Sequence, residues 1–468
     1  MDFSSSNIIL WSAVLQFGIL AVMILIANVL RIKVPFVRKS LMPTSVLAGF
    51  ILLLLRVMGL VQVDTDLMEM LLYHAIAIGF IALSLQIPRD SDKPAKGDFI
   101  AAKSGALIIS TYLVQGLIGL VISAGLAYTV MPDFFKAAGI LLPMGYGQGS
   151  GQANNVGSTY QALGFKGGQS FGLSIAAMGY LVACVVGIAY LNIMKKRGVI
   201  HGGSTGTNHD TVIVEEFESK DEPPVSESVD RLSIQFALIF VIYLFTYLVT
   251  LGIVDLLKSG APGLAKTLSP LLWGFNFIIG SLLAQVCHKI FKCLTKAGLM
   301  THQHVNNYLL GRIAGFAFDI MVIAGIATIN IEDLSGLWLP FWLMAIAGAV
   351  ITLWYLQWLC RKIYPDYYYE GMLSMYGMLT GNISSGMMLL REIDPSFKTP
   401  AATNLLTGSS VAIALGAPML IFIGLAPQSD SMLLLTIVFL AIYLVPLVLF
   451  ILKAQHKRKA DDNDSTGR

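Results

Sequence analysis

Two short stretches hold the residue types that can do chemistry in this chain. The first is Gly145-Tyr146-Gly147-Gln148-Gly149-Ser150-Gly151-Gln152-Ala153-Asn154-Asn155, four glycines at alternate positions followed by polar side chains. The second is Met375-Tyr376-Gly377-Met378-Leu379-Thr380-Gly381-Asn382-Ile383-Ser384-Ser385-Gly386. A helix that starts at such a stretch presents unpaired N–H groups and about half a unit of positive charge, which suits a carboxylate. A helix that ends there leaves free carbonyls, which suit Na+. Gly147, Gly149, Gly151, Gln152 and Gly381 offer backbone N–H groups, while Gln148, Ser150, Asn154, Asn155, Thr380, Asn382, Ser384 and Ser385 offer side-chain hydrogen bonds. The competing reading is that the glycines only let helices pack closely, as small residues do inside membranes.

Asp319 stands apart, about half-way along the apolar segment 308–329. A lone carboxylate there costs roughly 3 kcal/mol on insertion scales, so it must face a cavity or a partner. It is read as a Na+ ligand or proton carrier, against the alternative of a structural pair with Arg312, two turns away on the same face. Asn404 and Thr403 follow the second stretch and are assigned with Asp319 to the ion path. Arg56, close to the end of its span, is expected to snorkel to the headgroups. Tyr364, Tyr367, Tyr368 and Tyr369 read as an interfacial aromatic belt. Cys287, Cys293, His288, His302 and His304 share one loop but match no zinc spacing, so no metal beyond Na+ is expected. The cysteines read as packing residues.

The elements that must carry these residues follow from composition. Of 468 residues, 56% are apolar and only 13% are charged, against about 25% charged in soluble chains. That predicts an all-α polytopic membrane protein, set in a lipid bilayer, with no separate soluble domain. A net charge of +3 gives no sign of a nucleic-acid partner. Spans are expected at 8–30, 41–60, 70–87, 104–130 and 170–194, and again at 232–256, 268–288, 308–329, 337–360, 401–425 and 431–453, about eleven in all. The first is long enough to span and is expected to be retained rather than cleaved. The apolar run 137–144 is too short to cross about 30 Å of hydrocarbon at about 1.5 Å per residue, so 137–163 is expected to dip in and return. Backbone exposed at that depth must line a cavity or be buried in protein.

The second stretch sits about 230 residues after the first, also between the fourth and fifth spans of its half. Five spans is an odd number, so the second half lies upside down relative to the first. The organisation expected is a first inverted repeat over 1–194 with its re-entrant hairpin at 137–163, and a linker at 195–230. A second repeat follows over 231–427 with its hairpin at 371–392, then an extra helix and tail at 428–468. Lys and Arg set the orientation. With the N-terminus outside and the C-terminus cytoplasmic, 26 of the 31 fall in inner loops, four in outer loops, and Arg56 within a span. Inverted repeats with interrupted segments at matching positions point to a secondary transporter working by alternating access. No Gly-x-x-x-x-Gly-Lys-Ser/Thr motif offers nucleotide energy, and no nucleophile and base are paired within the spans, so no catalytic residue is assigned and the chain is not read as an enzyme. A channel would close a ring through oligomeric symmetry, which an internal repeat does not require.

These residues resemble the bacterial sodium/glutamate symporters. The likeness rests on the run 145–153, on Gly164-Phe165, and on the small-residue helix Phe171-Gly172-Leu173-Ser174-Ile175-Ala176-Ala177-Met178-Gly179, and it covers about ten of the eleven spans. The family's first hairpin typically reads Gly-His-Gly-Thr-Gly-Ala-Ala, with Tyr146 and Gln148 here at the His and Thr positions. Its second reads Gly-x-Gly-x-Gly-Ala-Thr-Pro, where this chain carries Thr380 to Gly386. The resemblance implies a divergent member. It would be a homodimeric inner-membrane importer of L-glutamate or a related acidic amino acid, with Na+ as the coupling ion, no other cofactor, and a scaffold and a transport domain in each protomer. The alternative substrate is a di- or tricarboxylate such as citrate, coupled to Na+ or H+, for which Arg391 is the available cation.

Overall fold

The computed structural model describes residues 7–86, 99–199, 225–260, 265, 269, 272–297, 305–394 and 399–465. Most of the expected linker, His302, His304 and the flank 395–398 lie outside the described residues. Within them there is no strand. The helices run α1 (Ile8–Lys33), α2 (Pro35–Lys39), α3 (Thr44–Val57), α4 (Thr65–Leu85), α5 (Ile100–Thr129), α6 (Ser150–Ala162), α7 (Gly168–Lys196) and α8 (Val225–Gly260). They continue as α9 (Asn276–Lys296), α10 (Asn307–Ala327), α11 (Trp338–Ile363), α12 (Tyr368–Thr380), α13 (Ile383–Arg391), α14 (Ala401–Gly416), α15 (Met419–Leu425) and α16 (Asp430–Ser465).

Eight of them, α1, α4, α5, α7, α8, α10, α11 and α16, are long and apolar enough to cross a membrane. The chain is therefore an all-α polytopic membrane protein. The other three expected spans differ in form. Segment 41–60 shortens to the 14 residues of α3, and in segment 268–288 helix α9 starts at Asn276. Segment 401–425 breaks into α14 and α15 at Pro418, which has no N–H to continue the helix and whose ring crowds the preceding turn. Near that break the Leu415 carbonyl accepts the Tyr443 hydroxyl of α16 at 2.6 Å, so the interruption leaves this carbonyl satisfied.

The lipid-facing surface shows itself on α11. Trp338, Trp342, Ile346, Val350, Trp354 and Trp358 recur every fourth residue and all are exposed. Twenty residues of helix separate the outer tryptophans, about 30 Å, which is the thickness of the hydrocarbon layer. Tryptophan at both ends of an apolar stripe is the interfacial anchor pattern. It corrects the tyrosine reading. Tyr364 is wholly buried and shares a 2.6 Å hydrogen bond with Ser104, so its ring belongs to the interior, while the half-buried Tyr367 accepts from Asn404.

Two compact units partition the chain, and they interleave the two sequence halves. One comprises Met1–Tyr73, Pro94–Ile200 and Asp319–Arg468; the other comprises His74–Lys93 and His201–Phe318. In the second unit, Ile81, Leu85, Ile239, Ala284, Leu310 and Ile313 form a packed core, with Phe80 set between Phe277 and Phe318. In the first, α5 is the most deeply buried span and packs against α11, α14 and α16. Its small residues allow this. Gly119 lies directly on Gly139 backbone to backbone, and a Cβ on either would overlap the other.

Candidate functional site

Except for Arg312 and Tyr308, which belong to the second unit, the geometry that follows lies within the first unit. The first Gly-rich stretch breaks its helix in stages. A 3-10 turn at Lys136–Ile140 and a π turn at Pro143–Gly147 lead to Gly149, which adopts φ 84°, ψ −174°, a conformation open essentially only to glycine. Helix α6 then starts at Ser150 with no side-chain cap. The second stretch breaks more sharply. Helix α12 ends at Thr380, Gly381 and Asn382 turn the chain, and α13 starts at Ile383.

The two breaks meet. A Cβ on Gly149 would lie 3.7 Å from the Gly381 carbonyl and 3.2 Å from the Tyr180 hydroxyl. Tyr180, on α7, accepts the Ser150 N–H at 3.3 Å. Its neighbour Gly179 sits so close to the Thr380 carbonyl that any side chain there would collide with it. On the other side, Gln115 of α5 donates through Nε2 to Leu379 O at 2.9 Å and to Thr352 Oγ1 at 2.8 Å. Its Oε1 lies 3.1 Å from where a Gly147 Cβ would be. Helices α5 and α7 thus each touch both breaks. Tyr146, within the first break, anchors to Ala345 O of α11 at 2.7 Å.

The two helix starts differ in what they leave free. At α13, Asn382 Oδ1 accepts the Ser385 N–H at 2.8 Å and the Ser385 hydroxyl at 3.0 Å, an N-cap built from the chain itself. Thr380 Oγ1 donates back to Tyr376 O. Three residues assigned to the site thus form local hydrogen bonds, while the Ser384 side chain lies outside the described residues. At α6 no such cap exists. Gln152, third in the helix and 1% exposed, has neither amide atom hydrogen-bonded. A buried amide left unpaired costs about 1–3 kcal/mol and calls for an explanation such as a bound ligand. Gln115 Oε1 and the Tyr376 hydroxyl are also buried without partners. Gln148 is half-buried at the tip, its N–H bonded to Pro143 O. Asn154 accepts from Gln169 Nε2 at 2.9 Å, and Asn155 is buried one residue further on.

The residues assigned to an ion path are held separately. Asp319, on α10, is exposed. Arg312 lies instead over the Tyr308 ring, 5.0 Å from its centroid. Asn404 donates to the Tyr367 hydroxyl at 2.6 Å, and the Thr403 carbonyl accepts from Thr407. No hydrogen bond joins Asp319 to Asn404 or Thr403. Helix α10 nonetheless connects Asp319 to the first break, because the Ser150 hydroxyl lies 3.5 Å from Met321 O and a Cβ on Gly325 would strike the Ser150 side chain.

Arg56 does not snorkel. Its Nη1 donates to Ala327 O at 2.8 Å and Ile329 O at 3.4 Å, closing the C-terminal end of α10. Sequence reasoning also missed Gln115, Tyr180 and Thr352. Each is a polar group inside an apolar span, and nothing local says which neighbour it will face. No protein-family model, curated protein or solved structure matches this chain.

Proposed function

We propose that this protein is a secondary active transporter that imports L-glutamate or a closely related acidic amino acid in symport with Na+. The observation that carries the reading is the uncapped start of α6 with the orphaned Gln152 beside it, buried where two interrupted helices meet. Backbone N–H groups at a helix start suit a carboxylate, and an amide with both atoms free can accept from an ammonium and donate to a carboxylate oxygen. Carbonyls at the end of α12, together with Asp319, are the proposed cation ligands. The Lys and Arg distribution supports an N-terminus outside and a C-terminus in the cytoplasm, and the family resemblance implies an inner membrane. The homodimer and the division into scaffold and transport domains come from the family resemblance alone.

The test is uptake of labelled L-glutamate into proteoliposomes with and without an inward Na+ gradient. Accumulation that requires Na+ and falls at least tenfold in Gln152→Met and Asp319→Asn, roughly the loss of one charge-assisted hydrogen bond, is the expected result. Absence of accumulation under any gradient, by protein with an unaltered melting profile, overturns the assignment.

A further inference from the structure

Gln115 lies half-way along α5, wholly buried, and its amide meets one helix break on each side. A buried amide is costly unless both of its polar atoms find partners, and here only one does. Nε2 donates to the Leu379 carbonyl at 2.9 Å and to Thr352 Oγ1 at 2.8 Å, so these two oxygens converge on one point. Leu379 is the last residue but one of α12, where a helix end leaves its carbonyls without an N–H from the next turn. Thr352 comes from α11, and both residues are wholly buried. Oε1 lies 3.1 Å from where a Gly147 Cβ would be, in the first break, and has no hydrogen-bond partner. The Leu379 carbonyl can only accept, so the nitrogen must be the atom that faces it and the oxygen must face the first break.

A half-turn of the amide about its last bond exchanges these roles. Oε1 then joins Leu379 O and Thr352 Oγ1, three oxygens around one point, and Nε2 faces the first break as a donor. With nothing between them, those oxygens repel and the Leu379 carbonyl loses its only donor, so the present orientation is kept. A cation among the three satisfies all of them, and carbonyls at the ends of interrupted helices are suited to Na+. The three ligands are neutral, which fits a monovalent ion better than Ca2+ or Mg2+, whose sites draw on carboxylates.

We propose that Leu379 O, Thr352 Oγ1 and Gln115 Oε1 hold a coupling Na+, and that the ion turns the Gln115 amide so that Nε2 meets a substrate carboxylate at the first break. The inference rests on the symport reading and names a device for its coupling. Before Na+ binds, an amide oxygen faces the first break and repels a carboxylate; afterwards a donor stands in its place. Substrate therefore binds well only after Na+, and by linkage it raises the affinity for Na+ by the same factor.

Thermal unfolding of the purified full-length protein without substrate, with NaCl exchanged for choline chloride, tests the ion site apart from the identity of the substrate. The expected result is a stabilisation by Na+ over choline whose half-saturating concentration rises at least about tenfold in Thr352→Val and recovers in Thr352→Ser. Gln115→Glu offers oxygen to the ion and no amide donor to the break. Its affinity for Na+ is retained or raised, while its affinity for L-glutamate, read from uptake at saturating Na+, falls at least about tenfold. This split decides alone if Thr352→Val fails to fold, because a merely structural Gln115 moves both affinities together, and that result overturns the turning amide. Equal Na+ affinity in wild type and Thr352→Val overturns the site and leaves the substrate assignment standing. A Na+ effect lost in Thr352→Val, in a protein that takes up no L-glutamate, upholds the site and overturns the substrate. A wild type that Na+ stabilises no more than choline overturns the site.

Discussion

Gln152 and Arg56 show how one side chain is read by what it does or does not touch. Gln152 keeps both amide atoms unpaired in the interior, so the folded protein carries a cost that a ligand would remove. Replacing it with the similarly shaped, apolar Met should leave stability unchanged or raise it by about 1–3 kcal/mol while lowering uptake at least about tenfold. Thermal unfolding in detergent and a transport assay on the same preparation check this, and a large loss of stability would mark Gln152 as structural. Arg56 is the opposite case. Its guanidinium satisfies carbonyls that the end of α10 leaves free, at the negative end of the helix dipole. Arg56→Ala should lower stability by about 1–2 kcal/mol, an amount already discounted for its partial exposure. Arg56→Lys, which keeps the charge without the fork, should recover part of it in the same melting experiment.

At the scale of elements, the interrupted helices are held open by backbone conformation on one side and by a cap on the other. Gly149 sits where a side chain is strained and where Tyr180 leaves little room, so Gly149→Ala should cost about 1–3 kcal/mol and impair uptake more than its stability loss accounts for. Asn382→Ala removes the N-cap of α13 and should cost about 1 kcal/mol. Hydrogen exchange provides the readout: faster exchange confined to the first turn of α13 is expected, and exchange spread through α12 and α14 would refute a purely local role. The contrast between a capped α13 and an uncapped α6 is why the ligand is assigned to the first break.

For the molecule as a whole, the Lys and Arg distribution makes a topological claim that labelling can settle. In a cysteine-free background, Ser259→Cys should react with an impermeant thiol reagent added outside intact cells, and Gly198→Cys should react only after lysis; the reverse pattern would invert the proposed orientation. Lys136 lies on the same proposed outer side and hydrogen-bonds to Asp430 at 2.6 Å. That bond holds the lysine above its ordinary pKa. Any stabilisation it gives is complete below the ordinary lysine value and is lost as pH rises through the raised one. Both groups are water-exposed, so Lys136→Gln should shift the melting temperature little at neutral pH.

Composition alone determined that the chain lives in lipid, because burying so few charges among so many apolar side chains leaves no soluble alternative. The positions of both helix breaks were legible as well, since glycine acts on its own backbone and does so wherever the helix is placed. Span lengths were read less well. Hydrophobicity continues through Pro418 and past the ends of α3, whereas a helix stops where its hydrogen bonds do. The pairing of polar groups was not legible at all. Asn382, Asn154 and Gln152 look alike in the sequence, yet the first caps its own helix, the second is met by Gln169, and the third is met by nothing. Gln115 finds its partner at Leu379 and Arg56 finds its own at Ala327, each more than 260 residues away. Only tertiary structure decides such pairings, because a hydrogen bond depends on which helix face arrives opposite, and that is set by the packing of the whole unit.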